Sequence, residues 1–460
     1  MNAFPEARPC PPAGRRMPAL ALLSLLQFLI AIDVTVVNVA LPSIGAQFHA
    51  PTASLSWVVT GYTLVGGGLL LLGGRVTDLL GRRRMFLLGA GLFALASLAA
   101  GLAPGLPTLI GARFAQGAGE ALASPAAMSL IALLFPEPAE RAKALGVWGA
   151  ISAGGLVVGG LLSGVLTELL HWRWIFAVNV PLTAAVLLIT PKLVPADGPR
   201  PRTGRLDLPG AALLTAGPLS LVYGALESAP LAIVAGVLLL TAFVAVEART
   251  QHPLVPLSFF THRTRAVANA ATVLLSAALS TAFFLLTLYM QDVIGLGPLQ
   301  AGLAFLPFCA ALFLAISLVS RLIGALGVTR TALVGLASTA AGLAWLARLP
   351  DRGAYAIDVL PGMVGVAVGM GVGLLALQNA ALHDVTEADA GTAAGIQRSV
   401  DQLGGSLGLA VLVGVSVGSR GGGADGFRSA FLYALIGVGA AAALLLAAPA
   451  RGRTPSSPVY

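Results

Sequence analysis

The chain has 460 residues, of which 57% are hydrophobic and 10% are charged, and its mean hydropathy is +0.90. Because charged residues make up about 25% of a soluble globular protein, this composition excludes a soluble fold and indicates a polytopic helical membrane protein. The formal charge of +8 does not indicate nucleic-acid binding, since the basic residues are scattered singly between apolar segments. The chain also lacks a Gly-Lys pair, so it has no Walker A loop and cannot drive transport with ATP by itself.

The hydrophobic segments predict fourteen transmembrane helices, because about 20 apolar residues cross a membrane core roughly 30 Å thick. Their predicted bounds are 17–42, 55–73, 84–103, 107–134, 142–167, 174–194, 208–227, 229–248, 265–290, 298–323, 328–348, 355–382, 390–418 and 427–448. A cytoplasmic amino terminus places most Lys and Arg residues on the inner side. We therefore expect a multi-pass protein of the cell inner (plasma) membrane with both termini in the cytoplasm.

A faint internal repeat predicts how these helices are organised. Two sets of three residues share one spacing, and an arginine follows each set. The first set, after helix 2, is Gly74, Asp78 and Gly81, and the second, after helix 10, is Ser320, Gly324 and Gly327. Such a duplication predicts two six-helix bundles separated by an extra hairpin of helices 7 and 8. The expected units are a cytoplasmic tail at 1–16, bundles at 17–194 and 265–448, a linker and hairpin at 195–264, and a second tail at 449–460.

Asp33 is the first candidate functional residue, because it lies in the apolar run of helix 1 at mid-membrane depth. A charged side chain at that depth costs roughly 2.5–3.5 kcal/mol on insertion scales, so such acids usually face a water-filled path and act there. We therefore assign Asp33 to proton coupling or substrate binding. The sequence leaves one alternative open, a buried structural acid paired to a neighbouring helix.

Helices 4 and 13 carry further intramembrane charges. Arg113, Gln116 and Glu120 follow the spacing i, i+3 and i+7, so they share one helix face over about 10 Å. The sequence predicts that Arg113 and Glu120 hold each other, and that protonation of Glu120 releases Arg113. A purely structural ion pair is the alternative. On helix 13, Arg398 and Asp401 at i and i+3 predict a second pair.

Two glycine-rich stretches predict close helix packing and a conformational contact. The loop GGRVTDLLGRRR at 73–84, called the latch loop below, combines small residues, an acid and a basic cluster that can form a breakable contact between the bundles. A plain topogenic arginine cluster is the alternative. The latch candidates are Gly74, Asp78, Gly81, Arg82 and Arg83. In helix 5, glycines let a neighbouring backbone approach closely, and the candidates are Gly155, Gly159, Gly160 and Gly164.

Aromatic and small polar residues in the apolar segments are candidates to line a cavity for lipophilic compounds. They are Asn38, Trp57, Tyr62, Gln116, Tyr289 and Gln291. Packing at the lipid interface or between helices is the alternative for each of them. We expect no metal and no cofactor, because the five histidines are dispersed through predicted loops. The GxSxG pattern around Ser406 lies within a predicted helix, whereas the hydrolase motif requires a strand-to-helix turn.

Several of these motifs resemble those of the major facilitator superfamily. The latch loop is similar to the loop signature of the family, and LIGARFAQGAGEA resembles its arginine-containing helix 4 motif. IDVTVVNVALP, WRWIFAVNVP and LYMQDVIGLGPLQAGLAFLP resemble the fourteen-helix drug:proton antiporter branch. The chain departs from that branch in helix 5, where the proline of the antiporter signature is missing, and at Asp401, where an arginine is usual.

The resemblance implies the major facilitator fold, in which two bundles rock around a central cavity and export compounds against proton entry. It also implies that Arg113 and Asp33 are the coupling and cavity residues. The sequence therefore predicts an all-α polytopic membrane protein that is not an enzyme. Its predicted function is proton-coupled export of amphipathic, cationic organic compounds, as in multidrug or antibiotic efflux. Its partners are the small-molecule substrate, protons and the lipid bilayer, and it functions as a monomer.

Other functions stay open at this stage. The chain could move one dedicated metabolite, for example a self-made antibiotic. An intramembrane enzyme would require a nucleophile and base constellation or a metal cluster, which the sequence does not offer. A membrane sensor would not require three helices with intramembrane charges.

Overall fold

The computed structural model describes residues 13–197, 206–251, 253–385, 389–418 and 424–447. In this part of the chain the secondary structure is helical, with no strand. Fourteen long helical segments follow one another. They are α1 Ala13–Phe48, α2 Thr52–Leu80, α3 Arg82–Gly101, α4 Leu106–Leu134, α5 Pro138–Leu169, α6 Trp174–Leu193, α7 Leu208–Leu226, α8 Pro230–Glu247, α9 Arg263–Leu288, α10 Pro298–Leu326, α11 Val328–Leu346, α12 Leu360–Ala381, α13 Ala390–Gly418 and α14 Asp425–Ala447.

Twelve of the described helices are long and apolar enough to cross a membrane. The two other long segments are α5 and α11. The all-α polytopic fold class predicted from the sequence is therefore confirmed. Fourteen crossings stay a prediction for α5 and α11. The predicted tails and most of the linker fall outside the described residues.

The observed helix ends differ most from the predicted ones at α2, which extends to Leu80 instead of ending at 73, and at α1, which extends to Phe48 instead of ending at Pro42. The predicted loop at 73–84 is therefore wrong as a loop, because Gly73 to Leu80 belong to α2 and only Gly81 separates α2 from α3. The sequence predicts an end of α1 at Pro42 because the apolar run stops there. The helix continues because Leu41 and Ile44 on either side of the proline are fully buried against neighbouring helices. Transmembrane helices tolerate proline where such packing surrounds them.

Glycines let the helices of each half pack with their backbones in contact. In the first half, Gly89 of α3 and Gly119 of α4 meet, and a Cβ at Gly119 would lie 2.9 Å from the Gly89 carbonyl oxygen. In the second half, a Cβ at Gly342 of α11 would lie 2.6 Å from the carbonyl oxygen of Gly362 on α12. Helices α1 to α6 and α9 to α14 thus each pack largely among themselves. The exact boundaries of the predicted domains stay a prediction.

The hairpin of α7 and α8 packs against both halves. Thr215 of α7 contacts the backbone of α2 at Gly68, where a Cβ would lie 2.6 Å from its hydroxyl oxygen. Further along α7, the carbonyl oxygen of Ala225 lies 3.0 Å from the position of a Cβ at Gly414 of α13. The hairpin therefore lies across the junction of α2 and α13.

The faint repeat in the sequence corresponds to equivalent places in the fold. Gly81 joins α2 to α3 with a φ of 119°, and Gly327 joins α10 to α11 with a φ of 80°. Both angles lie in the region that favours glycine, because a Cβ would clash with the backbone there. The two turns reverse the chain at the same point of each half.

Candidate functional site

A cavity of about 260 Å³ lies between the two halves of the molecule. Helices α1, α2 and α5 line one side, and α9, α10, α12 and α13 line the other. Its wall is mostly apolar, with three phenylalanines (Phe283, Phe305 and Phe308) close to one another. Its polar lining residues are Thr35, Asn38, Thr63, Ser152, Ser276, Ser280, Arg398, Asp401, Gln402 and Ser406. Ligand sites in proteins commonly have this form, a concave apolar surface with a few polar groups.

Asp33 is fully buried behind this cavity and has three side-chain partners. Its Oδ2 forms an ion pair with Arg113, and its Oδ1 accepts hydrogen bonds from Gln116 Nε2 at 3.0 Å and from Asn179 Nδ2 at 3.1 Å. Gln116 Nε2 also contacts the Ser97 hydroxyl at 2.8 Å. The cluster therefore joins α1, α3, α4 and α6. Asp33 does not line the cavity, although Val34 beside it does.

Arg113 is fixed from several directions and is 1% exposed. Its Nε donates to the carbonyl oxygen of Val58 at 2.8 Å, and its guanidinium carbon lies 4.3 Å from the centre of the Tyr62 ring. The predicted ion pair between Arg113 and Glu120 is wrong, because Arg113 pairs with Asp33 instead. Two helical turns separate Arg113 from Glu120, about 10 Å along the axis, and each finds a nearer partner on another helix.

Glu120 connects the two halves of the molecule. Its Oε1 accepts a hydrogen bond from Gln402 Nε2 at 3.0 Å and lies 3.7 Å from Arg398 Nη2, both on α13. Its Oε2 is buried and has no hydrogen-bond partner among the described residues. Gln402 and Arg398 line the cavity, so the carboxylate lies directly behind the cavity wall.

The predicted pair of Arg398 and Asp401 is also wrong. Arg398 turns towards Glu120, whereas Asp401 Oδ1 accepts a hydrogen bond from the Ser276 hydroxyl of α9 at 2.6 Å. Both charged side chains line the cavity. The spacing i, i+3 places two residues on one face of a helix but does not bring their charged ends together when other helices offer partners.

The latch loop makes its described contacts within its own half and with the start of the linker. Asp78 pairs with Arg82 at 4.0 Å at the surface, and a Cβ at Gly74 would lie at ordinary contact distance, 3.9 Å, from Pro125. After Gly81, the backbone N–H of Arg83 donates to the Asp197 carboxylate at 3.2 Å. The N–H of Arg84 donates to the same carboxylate at 3.1 Å. An acid at this position favours the amino-terminal end of α3. Any contact of the loop with the second half stays a prediction.

The helix 5 glycines make contacts of two kinds. A Cβ at Gly155 would lie 2.8 Å from the Phe28 carbonyl oxygen, and one at Gly159 would lie 2.8 Å from the Ile32 carbonyl oxygen, so both pack on α1. A Cβ at Gly164 would lie 2.8 Å from the carbonyl oxygen of Pro298 on α10. The carbonyl oxygen of Gly160 faces α10 as well. Helix α5 therefore contacts its own half through one pair of glycines and the other half through the second pair.

The six cavity candidates lie in different places. Asn38 lines the cavity, Tyr62 and Gln116 belong to the cluster around Asp33 and Arg113, and Trp57 packs edge-on against Phe114. Outside the cavity, the Tyr289 hydroxyl donates to the Pro350 carbonyl oxygen at 2.6 Å. Gln291 Nε2 donates to the Val39 carbonyl oxygen at 2.9 Å and so joins the helical turn after α9 to α1.

Sequence reasoning missed Asn179 and Gln402, which complete the two polar clusters. Asn179 stands within the stretch WRWIFAVNVP, so a polar residue inside an apolar helix was a usable signal. Gln402 follows Asp401 directly, and its side chain carried no signal beyond being polar. Its contact with Glu120 depends on how α4 and α13 meet, which spacing within one helix does not reveal.

A multi-pass helical protein with a cavity between two bundles and buried charges beside it is a membrane transporter in architecture. The chain belongs to the Major Facilitator Superfamily, whose sequence profile matches residues 23–409. The family predicted from the motifs is thereby confirmed, and the proteins of this family are transporters.

Similar proteins align with most of the chain. A lincomycin resistance protein of Streptomyces lincolnensis is 52% identical over 441 residues, which are 94% of this chain and 90% of that protein. A puromycin resistance protein of Streptomyces alboniger is 42% identical over 419 residues, 89% of this chain and 83% of that protein. Among solved structures, the POT family transporter PepTSo matches with a TM-score of 0.72 at 15% identity, over 95% of this chain and 97% of that one. The likeness to PepTSo concerns the fold alone.

Proposed function

We propose that this protein is a proton-coupled exporter of antibiotic-like organic compounds that works by alternating access. The observation that carries the proposal is the extent of the likeness to antibiotic resistance proteins, which spans 94% of the chain at 52% identity in one case. The cavity between the two halves supplies the substrate site in this proposal. We place the protein in the cell inner membrane as a monomer, with both termini in the cytoplasm.

The cavity fits a compound with an apolar body and a cationic group. Three phenylalanine rings on one side offer contact area to an apolar body, and Asp401 on α13 offers a negative charge at the same wall. Asp401 accepts a single described side-chain hydrogen bond, so its second oxygen is free to receive a cationic donor. Charge-assisted hydrogen bonds of this kind are stronger than neutral ones.

Glu120 is the proton-responsive residue in the proposed mechanism. As a carboxylate, it attracts Arg398 and accepts from Gln402, which joins α4 to α13 across the halves. Protonation removes its charge and with it the attraction for Arg398. Arg398 is then released, while Gln402 can still donate to the neutral carboxyl group, and the halves separate more easily at this point. The buried cluster of Asp33 and Arg113 fixes α4, on which Glu120 stands.

Under the predicted topology, two contacts between the halves support a conformation that is closed to the outside. Gly164 meets Pro298, and Gln291 donates to the Val39 carbonyl oxygen, at the end of the molecule where α5 and α9 finish. The topology proposed above makes that end the outer one. The structure then corresponds to a state closed to the outside, which must open for a compound to leave.

Transport by the purified protein in liposomes tests the proposal. We expect an imposed pH gradient to drive lincomycin or puromycin movement, and dissipation of the gradient to abolish it. Each compound should in turn cause proton movement. A protein that moves neither compound but carries one unrelated metabolite would instead support the dedicated transporter. Drug movement unaffected by the gradient would reject proton coupling.

Replacement of Glu120 by Gln tests the coupling residue. Glutamine keeps the size of the side chain and an oxygen that accepts from Gln402, but it cannot take up a proton. Substrate binding to Glu120→Gln should remain measurable and become nearly independent of pH, while gradient-driven transport is lost. The matched control is Glu227→Gln on the exposed end of the hairpin. A variant that keeps the pH profile of the parent would exclude Glu120 as the coupling residue.

A further inference from the structure

The hairpin carries two buried acids that the proposed transport mechanism does not use. Asp207 precedes α7 and Glu247 ends α8, and they are 6% and 3% exposed. One oxygen of each has a partner. The Gly210 N–H donates to Asp207 Oδ1 at 2.9 Å, and the Val255 N–H donates to Glu247 Oε2 at 3.2 Å. The other two oxygens, Asp207 Oδ2 and Glu247 Oε1, are buried and have no hydrogen-bond partner among the described residues.

The two unpartnered oxygens point into the same space. Gly210 lacks a side chain, and each oxygen lies 2.7 Å from the position that a Cβ at Gly210 would occupy. Two ionised carboxylates so close together, and shielded from water, repel each other strongly. A single shared proton removes this repulsion, because one carboxyl group then donates and the other accepts.

The surroundings supply no neutralising cation in the described part of the chain. Asp207 is the charged group that interacts electrostatically with the Glu247 carboxyl group. The walls around the hairpin are apolar and come from the connector after α8 and from α13: Leu254, Val255, Phe259, Ala393 and Ile396. On α9, Arg265 lies over the Phe259 ring at 5.3 Å and donates to the His383 carbonyl oxygen at 2.9 Å. Arg249, just after α8, is exposed.

We propose that Asp207 and Glu247 share one proton and form a proton-binding site within the hairpin, separate from the cluster beside the cavity. A proton fits the pair better than a metal ion. Calcium takes six to eight oxygen ligands and magnesium requires six in near-octahedral geometry, whereas two free carboxyl oxygens converge here. The other described partners of the two acids are backbone N–H groups, which donate hydrogen bonds and do not bind cations.

The position of the pair gives the proton a structural effect. The pair joins the start of α7 to the end of α8, and α7 contacts α2 at Gly68 and α13 at Gly414. Loss of the proton leaves two negative charges side by side and pushes the two ends of the hairpin apart. The hairpin then rests less firmly on the junction of α2 and α13.

Infrared difference spectroscopy of the full chain in lipid nanodiscs tests for the shared proton. We expect the parent at neutral pH to show the carbonyl band of one protonated carboxyl group that is lost in Glu247→Gln and in Asp207→Asn. Each amide donates to the remaining carboxylate, which then ionises, and each keeps the oxygen that accepts from Gly210 or Val255. The control Glu227→Gln, on the exposed far end of the same hairpin, should keep the band.

Titration gives a second, independent measurement. Glu247→Gln should bind one proton fewer per molecule than the parent, and its thermal unfolding midpoint should fall less as the pH rises. Two results would overturn the proposal. One is a band and titration identical in the parent and in both variants. The other is loss of the band when calcium or magnesium is added to the parent, which would make the pair a metal site.

Discussion

The two halves of the molecule each place an aspartate near the central cavity, but they surround it differently. Asp33 in the first half is fully buried and has three side-chain partners on α4 and α6. Asp401 in the second half lines the cavity and accepts one hydrogen bond, from Ser276. An acid with every oxygen occupied keeps one geometry, whereas an acid with a free oxygen facing a cavity can respond to what enters it.

The arginines of the two halves repeat this contrast. Arg113 is almost completely buried, contacts Asp33, Gln116 and the Val58 carbonyl oxygen, and lies over the Tyr62 ring. Arg398 is 49% exposed and makes one described ion pair, with Glu120 of the other half. The first half therefore has a fixed polar core, and the second half supplies charges that are able to move.

Replacement of each arginine by methionine should reveal the largest difference between the fixed polar core of the first half and the mobile charges of the second. Arg113→Met leaves Asp33 as an uncompensated buried charge, so we expect a loss of about 3–5 kcal/mol in the free energy of unfolding. Arg398→Met removes a half-exposed partner but leaves the buried Glu120 carboxylate without its cation, so we expect a smaller loss of about 1–3 kcal/mol. Denaturant unfolding in detergent measures both. Equal losses in the two variants would show that the contrast in burial does not set the stability of the halves.

Replacement of the two aspartates should separate their effects on transport. Asp33→Asn keeps the shape of the side chain but leaves Arg113 without its counter-charge, so we expect gradient-driven export of cationic compounds to be abolished while insertion into the membrane is unaffected. Asp401→Asn should retain coupled export and weaken apparent affinity for cationic compounds about tenfold, which corresponds to roughly 1.4 kcal/mol. Transport and binding in liposomes distinguish the two. Unchanged export by Asp33→Asn would remove Asp33 from the mechanism.

Most of the fold could be predicted from the sequence, because long apolar segments bounded by polar residues determine where membrane helices begin and end. The observed bounds of α13 are the same as the predicted ones, and those of α4 differ by one residue. The extension of α1 beyond Pro42 depends on packing that a single helix does not reveal, and α2 continues to Leu80 through polar residues that a count of apolar residues leaves out. The two glycine turns at Gly81 and Gly327 were also visible, as a shared spacing.

The partners of the charged residues could not be predicted in the same way. Arg113, Glu120, Arg398 and Asp401 were all singled out correctly as buried or cavity-side charges, but both predicted pairs were wrong. Spacing along a helix gives the face on which a residue lies, whereas its partner depends on which helix crosses that face. Here the partners come from α1, α13 and α9, distant in sequence.

Alanine at each of two adjacent glycines of α5 should affect stability differently, because one glycine packs against α1 and the other lines the cavity. A methyl group at Gly159 meets Thr35 and the Ile32 carbonyl oxygen of α1, so Gly159→Ala should lose about 1–3 kcal/mol of stability. At Gly160 a Cβ has open space, and Gly160→Ala should be neutral or gain up to about 1 kcal/mol from helix propensity. Thermal unfolding of both variants measures this. Similar midpoints would contradict the close packing of α1 on α5.

The smallest expected effect on stability is at the latch loop, where the charges lie at the surface. Asp78 is 63% exposed and 4.0 Å from Arg82, and exposed ion pairs contribute about 0–1 kcal/mol, so Asp78→Asn should unfold almost as the parent does. The substitution Asp78→Asn should instead change the equilibrium between the two transport conformations. A loop contact that forms in one conformation alone changes the populations of the two conformations without touching the ligand. Apparent affinities measured from the two sides of the membrane should then shift in opposite directions. Equal shifts on both sides would instead indicate damage to the fold, and the latch interpretation would give way to a topogenic arginine cluster.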